Sequence, residues 1–395
     1  MSPRSGKDSH PAFDLARWER VGFQEAADEL KDAIREGRAG RRGPARASRW
    51  VNDGSVSPLG LYCYLKARFG DPNGALTWFR GPGTDSPFQW DYALRCGQHT
   101  IHAIGGNACL EVVVRGHEPP KDEQWRTLVR VLKADMRRMA AEMRAVRSAL
   151  ERWSVFVNPY YRLDRVAARL EQELGGIDLN RPSAALADRQ AWSDRILEAL
   201  LLGTCIRMVA PVLAESFVNT LTFVLGRPEI RADPRLYEAT IRQSIDVRVK
   251  SLSLHCIGFA RPVGGDAKEF KDFHTLMNRR NEFLHGNVDP TKLQFAEVFF
   301  DKGTIPVFAD EEALGTRLLL GLLHGVEPDA ALDDLRIVRG FVPFILGHLD
   351  APIRAQVEIM LATSTLGWEK DDARLGILFP ETIVSAGPAN APAPP

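Results

Sequence analysis

Arg280, Asn281 and His285 fall within one six-residue stretch, Arg280-Asn281-Glu282-Phe283-Leu284-His285, and are suited to cleaving a phosphodiester. An imidazole with an ordinary pKa of about 6.5 exchanges protons at neutral pH, and a guanidinium can hold two phosphate oxygens while charge develops on them. Attack of a ribose 2′-hydroxyl on its neighbouring phosphate needs both. The Arg-to-His spacing alone says little, since a chain with nine histidines gives roughly two or three chance matches. Arg317 and His324 form such a match, but only the apolar run Leu318 to Leu323 lies between them. Asn directly after the arginine lowers the chance expectation to on the order of a few hundredths.

Around this motif, Phe270, Phe273, Leu276, Met277, Phe283 and Leu284 form an apolar stripe at helical spacing, and Gly286 marks a stop after His285. On that helix Asn281 and His285 share a face, whereas Arg280 and His285 are rotated by roughly 140°. Arg280 must then reach round the helix or act on the histidine of a second copy. Arg279 is either a second phosphate contact or a surface charge. Glu215 and Asn219 stand four apart in a preceding helix, where Glu215 either orients Arg280 or His285 or faces solvent.

Other chemistry is poorly provided for. Cys96, His99, His102 and Cys109 lie in one strand-rich stretch but lack the tight paired spacing of a zinc site, and no metal or cofactor is expected. Gly81-Pro82-Gly83 and Gly105-Gly106 lack the strand, loop and helix context of a phosphate cradle.

The elements that must position the motif are mostly helical. Trp192 to Met208, Val212 to Leu225, Leu236 to Ile257 and Ala267 to His285 read as four helices of a bundle. Phe295 to Asp301 and Thr304 to Phe308 flank Lys302-Gly303 as a β-hairpin. Helices follow near Glu311 to Leu323, Ala330 to Leu349 and Ile353 to Ala362. Upstream, Phe13 to Glu36 reads as a helix, and the arginines from Arg35 to Arg49 as a basic linker. Ser57-Pro58 opens a helix through Arg68. Phe88 to Leu94, Thr100 to Ile104 and Cys109 to Val114 read as a three-stranded meander. Trp125, Leu132, Met139, Val146 and Trp153 recur every seven residues, which predicts one long helix with a basic outer face. A helix from Tyr161 to Leu174 ends at Gly175-Gly176, and Ile177 to Ser183 reads as the main linker.

The expected fold is thus mainly α, a C-terminal helical bundle with a small β-hairpin, preceded by a small α+β region and a long heptad-patterned helix. The expected divisions are 1–46, 47–180, 181–365 and a tail, 366–395. Lys plus Arg equals Asp plus Glu at 51 each, so nucleic-acid affinity has to come from local patches. Five scattered cysteines and the lack of an apolar leader point to a cytoplasmic protein, and Glu198, Arg207 and Glu215 interrupt the most apolar stretch, so no membrane span is expected.

Arg280-Asn281, three residues and His285, at the end of a four-helix array, resemble the Arg-polar-x3-His signature of HEPN domains over about residues 185 to 290. The resemblance implies a metal-independent ribonuclease of the kind found in defence or toxin systems, composite at a homodimer interface. His285 would serve in general acid/base catalysis, Arg280 would hold phosphate and Asn281 would orient the pair. Glu215 resembles an acid present in some HEPN proteins, and Arg279 and Asn219 would be RNA contacts. RNA, a second copy and an antitoxin or regulatory protein are the implied partners. Catalytically silent HEPN domains, acting as scaffolds, are the alternative.

Overall fold

The computed structural model describes residues 10–28, 31, 47–73, 88–106, 109–180, 186–285, 294, 297–308, 314–369, 371 and 374–379, with the backbone alone at 88, 186, 187, 282–285 and 314. Most of the 35–49 linker, the turn after His285 and the C-terminal tail fall outside these residues. The chain forms two compact units, 1–155 with 367–395, and 156–366. The division lies at Val155/Phe156 rather than at 180/181, because the helix that follows Asn158 packs into the second unit.

In the first unit, Pro11–Phe13 and Leu15–Arg17 are 3-10 turns followed by β1 (Glu19–Arg20), so of the helix expected from Phe13 to Glu36 only residues 23–28 and 31 are helical among those described. His10 and Asp14 break it by capping the amides of Ala12 and Ala16 with their side chains. The sheet continues with β2 (Ala47–Val51), and after α1 (Pro58–Phe69) come β3 (Phe88–Cys96), β4 (His99–Gly106) and β5 (Leu110–Arg115). All strands are antiparallel in the order β1-β3-β4-β5-β2, which widens the expected meander on both sides. Arg49, assigned to the linker, belongs to β2 and donates to Glu111. Alternation buries Tyr92, Leu94, Ile101, Ala103, Val112 and Val114 in the same core as Leu61, Tyr64 and Leu65 of α1. Gly105 is required where it stands, because a Cβ would lie 2.1 Å from the indole of Trp90.

The heptad segment divides into α2 (Trp125–Arg138) and α3 (Ala140–Ser148), and Trp153 opens β6 (Trp153–Val157). The bend at Met139 keeps α3 packed on α1, and Asp135 at the bend accepts from Tyr64 (2.6 Å) and Arg68 (3.2 Å). The apolar seam is therefore satisfied within the chain over Trp125, Leu128 and Leu132.

The second unit is mainly α. It begins with α4 (Pro159–Gly175) and α5 (Leu186–Leu225), which runs unbroken through Pro211 where two helices were expected. A proline costs one ladder bond, and burial of Ala210, Leu213, Ala214, Phe217, Val218 and Leu221 on one side keeps the helix continuous. By length and composition Asp188–Leu225 could cross a bilayer; here this helix is the spine of the unit's core. The expected Leu236–Ile257 helix is instead split. After α6 (Pro228–Ala232) come α7 (Pro234–Ile241), α8 (Ile245–Lys250) and α9 (Leu252–His255), with a turn at Arg242-Gln243-Ser244. Next are α10 (Lys268–His285) and the hairpin β7 (Val298–Asp301) and β8 (Ile305–Phe308). Positive φ at Lys302 (51°) and Gly303 (71°) makes that turn, and Asp301 pairs with Ile305, so the loop takes in Thr304 as well as the two residues expected. The unit closes with α11 (Leu314–Val326), α12 (Pro328–Leu346) and α13 (Ala351–Leu361). The chain then returns to the first unit through β9 (Thr365–Glu369) and β10 (Arg374–Gly376), which pair as a hairpin.

Candidate active site

Phe270, Phe273, Leu276 and Met277 anchor α10 in the core, and Phe273 stacks on Phe341 of α12 with ring centroids 4.2 Å apart. That packing fixes the rotation of α10. Its next stripe, His274, Asn278 and Asn281 at steps of four and three, is left exposed along one edge. Beside it lies a cleft of about 620 Å³, open to solvent and contained within the second unit. Helix α5 contributes Glu215 and Asn219, the α7–α8 segment Tyr237, Gln243, Asp246 and Arg248, and α10 Met277, Asn278, Arg280 and Asn281.

Four of the six residues singled out in the sequence therefore meet: Glu215, Asn219, Arg280 and Asn281. Arg280 Nη1 donates to Glu215 Oε1 at 2.8 Å, while its Nε and Nη2 donate to Asn281 Oδ1 at 3.2 and 3.1 Å. Arg280 thus reaches round α10, and Glu215 does orient it. His285 ends α10, with its backbone alone described. Arg279 does not line the cleft; its guanidinium lies 3.0 Å from Asp334 of α12, a carboxylate only 2% exposed. Burial raises the pKa of Asp334, opposed by Arg279 and Arg207. Arg279 thus pairs within the fold, outside the cleft where an RNA contact was expected.

Two charged groups of the cleft, Asp246 and Arg248, were not singled out from the sequence, nor was His274 beside them. Arg248 is 8% exposed and donates Nη1 to Asn219 Oδ1, while its Nε has no partner among the described residues. Burial lowers its pKa and Glu215 opposes that shift; the guanidinium is basic enough to stay protonated all the same, which puts a fixed cation in the wall. Asp246 Oδ2 lies 2.6 Å from His274 Nδ1, and Asn278 Nδ2 lies 3.1 Å from His274 Nε2. Asp246 and Arg248 were hidden by the continuous helix expected there. The His274-Asn278-Asn281 spacing, by contrast, was readable as a polar stripe. Among the described residues there is no group of three or more His, Cys, Asp or Glu placed to hold a metal. In the first unit, His99 bonds the Glu118 carbonyl and Cys96 the Pro11 carbonyl.

The cleft combines two guanidiniums, two carboxylates and side-chain amides over a wall that includes Tyr237, Ile241 and Met277, and its Asp246 and Asn278 hold the imidazole of His274 beside it. Such a set can hold a phosphate, contact a base and move a proton. No protein-family profile, curated protein or solved structure matches this chain.

Proposed function

We propose that the second unit is an HEPN-like, metal-independent endoribonuclease of a defence or toxin type, acting on cytoplasmic RNA. The observation that carries the reading is the meeting of Arg280 and Asn281 with Glu215 and Asn219, from helices more than sixty residues apart in sequence, in one open cleft. Arg280 holds the scissile phosphate, Glu215 and Asn281 hold Arg280, and His285 serves in general acid/base catalysis. The Arg280–Glu215 pair is partly exposed, so exchanging part of it for phosphate oxygens costs little. A second copy and an antitoxin or regulatory protein are the proposed protein partners.

One observation favours a catalytically silent module that works through dimerisation. Arg280–Glu215, Arg248–Asn219 and His274–Asp246 each tie two helices together, as a purely structural network would. Cleavage of RNA in the presence of EDTA separates the two. The enzyme reading expects 2′,3′-cyclic phosphate ends from the wild type and a loss of at least about 100-fold in His285→Ala and in Arg280→Gln. Equal cleavage by wild type and His285→Ala, or none by either, removes it; dimers by light scattering with no cleavage select the silent module.

A further inference from the structure

Cleavage through the 2′-hydroxyl has a proton balance that a single histidine meets awkwardly. The 2′-oxygen loses its proton as it bonds to phosphorus, the bond from phosphorus to the 5′-oxygen breaks, and that oxygen needs a proton on the opposite side. The products are a 2′,3′-cyclic phosphate and a free 5′-hydroxyl. One group must take a proton and another must give one, on either side of the phosphate.

We infer that His274, held beside the cleft by its lining residues Asp246 and Asn278, is the second proton-transfer residue; the inference rests on the ribonuclease reading above. An Asp246 carboxylate 2.6 Å from Nδ1 requires the ring to carry its proton there, which leaves the Nε2 lone pair free to accept. The amide of Asn278, 3.1 Å from Nε2, donates to that lone pair in the free protein, so a substrate 2′-hydroxyl takes the place of this amide when it binds. His274 is half exposed, so substrate can reach it. Its place along α10 fits the balance as well. His274 precedes Arg280 by about 9 Å of helix rise, and His285 follows it by about 8 Å. Eleven residues separate the two histidine positions, which puts them within about 20° of the same helix face. A phosphate held at Arg280 and Asn281 then has one histidine position on each side along the axis. His274 Nε2 takes the 2′-hydroxyl proton and His285 protonates the 5′-oxygen. On this assignment both proton transfers come from one chain, whereas the roughly 140° offset of Arg280 and His285 taken alone pointed to a second copy's histidine.

The closing experiment uses the full chain and a single-stranded RNA of mixed sequence in EDTA, with cleavage rate followed against pH and RNA affinity measured separately. His274→Asn keeps a donor toward Asp246 but cannot carry a proton. It is expected to bind RNA and melt as the wild type does, to cleave at least about 100-fold more slowly, and to lose one limb of a two-limbed pH profile. Should that variant melt early, Asp246→Asn is read in its place, expected to lose about tenfold or more in kcat with KM retained and the pH profile displaced. A wild type that cleaves, with a His274→Asn variant of equal rate and unchanged pH profile, overturns this inference alone. A wild type that does not cleave overturns the ribonuclease reading and this inference with it.

Discussion

Arg279 and Arg280 are neighbours in sequence and point about 100° apart on α10, and that angle separates stability from chemistry. Arg280 reaches the open cleft, whereas Arg279 is set against the buried carboxylate of Asp334. Removing Arg279 leaves that carboxylate without its ion pair. Arg279→Ala should therefore destabilise the fold by about 3 kcal/mol at pH 7, the low end for a broken buried pair because Arg279 is itself about one-third exposed. The sign with pH follows from the raised pKa of Asp334. A carboxyl whose folded pKa lies above its unfolded value favours the fold below the unfolded value, and that contribution is lost as pH rises through the folded one. The deficit of Arg279→Ala should thus shrink as pH falls from 7 toward 4; urea unfolding at both ends of that range measures it, and a constant deficit contradicts the argument. None of this was readable locally. Asp333 and Asp334 are adjacent acids of which only the second is buried, and the choice is made by packing of α12, not by either residue's type.

Among the elements, α4 shows how much of a helix's start depends on a distant partner. Asn158 caps it, accepting from the amides of Tyr160 and Tyr161, and is fully buried. Its side-chain amide donates to the carbonyls of Met360 and Thr363 at the end of α13, 2.9 and 3.0 Å away. Asn158→Ala should cost about 3 kcal/mol, one part the lost cap and the rest two buried carbonyls left without a donor. Chemical denaturation tests it; a cost below about 1 kcal/mol would show that water replaces the amide. The sequence reading began this helix at Tyr161, and neither the Asn158 cap nor its reach to α13 was part of it. The same limit governed the helix boundaries. Alternating and 3.6-residue periodicities located β3, β4, β5 and α10, because each carries its own buried face, while the Lys302-Gly303 turn signal located the exposed β7–β8 hairpin. Where the core overrode a local signal, the expectation failed: burial carries α5 through Pro211, α3 bends at Met139 to stay on α1, and the turn at Gln243 opens the wall that holds Asp246 and Arg248.

At the scale of the molecule, the cleft belongs wholly to the segment 156–366, and so does a core running from Ala167 to Leu361. The first unit is discontinuous in sequence, and the linker-like residues near 180, where a boundary was expected, lie between α4 and α5, two helices of one core. A segment with its own core and an intact site should fold and work alone. The segment 156–366, expressed by itself, is expected to unfold in one cooperative transition and, on the ribonuclease reading, to cleave RNA within about tenfold of the full chain. Calorimetry and a cleavage assay check the two halves of that statement separately. If the isolated segment folds and outpaces the full chain, the first unit restrains the site. If it folds cooperatively yet has lost all cleavage while the full chain retains it, the first unit supplies something the chemistry needs, and the cleft is not the whole active site.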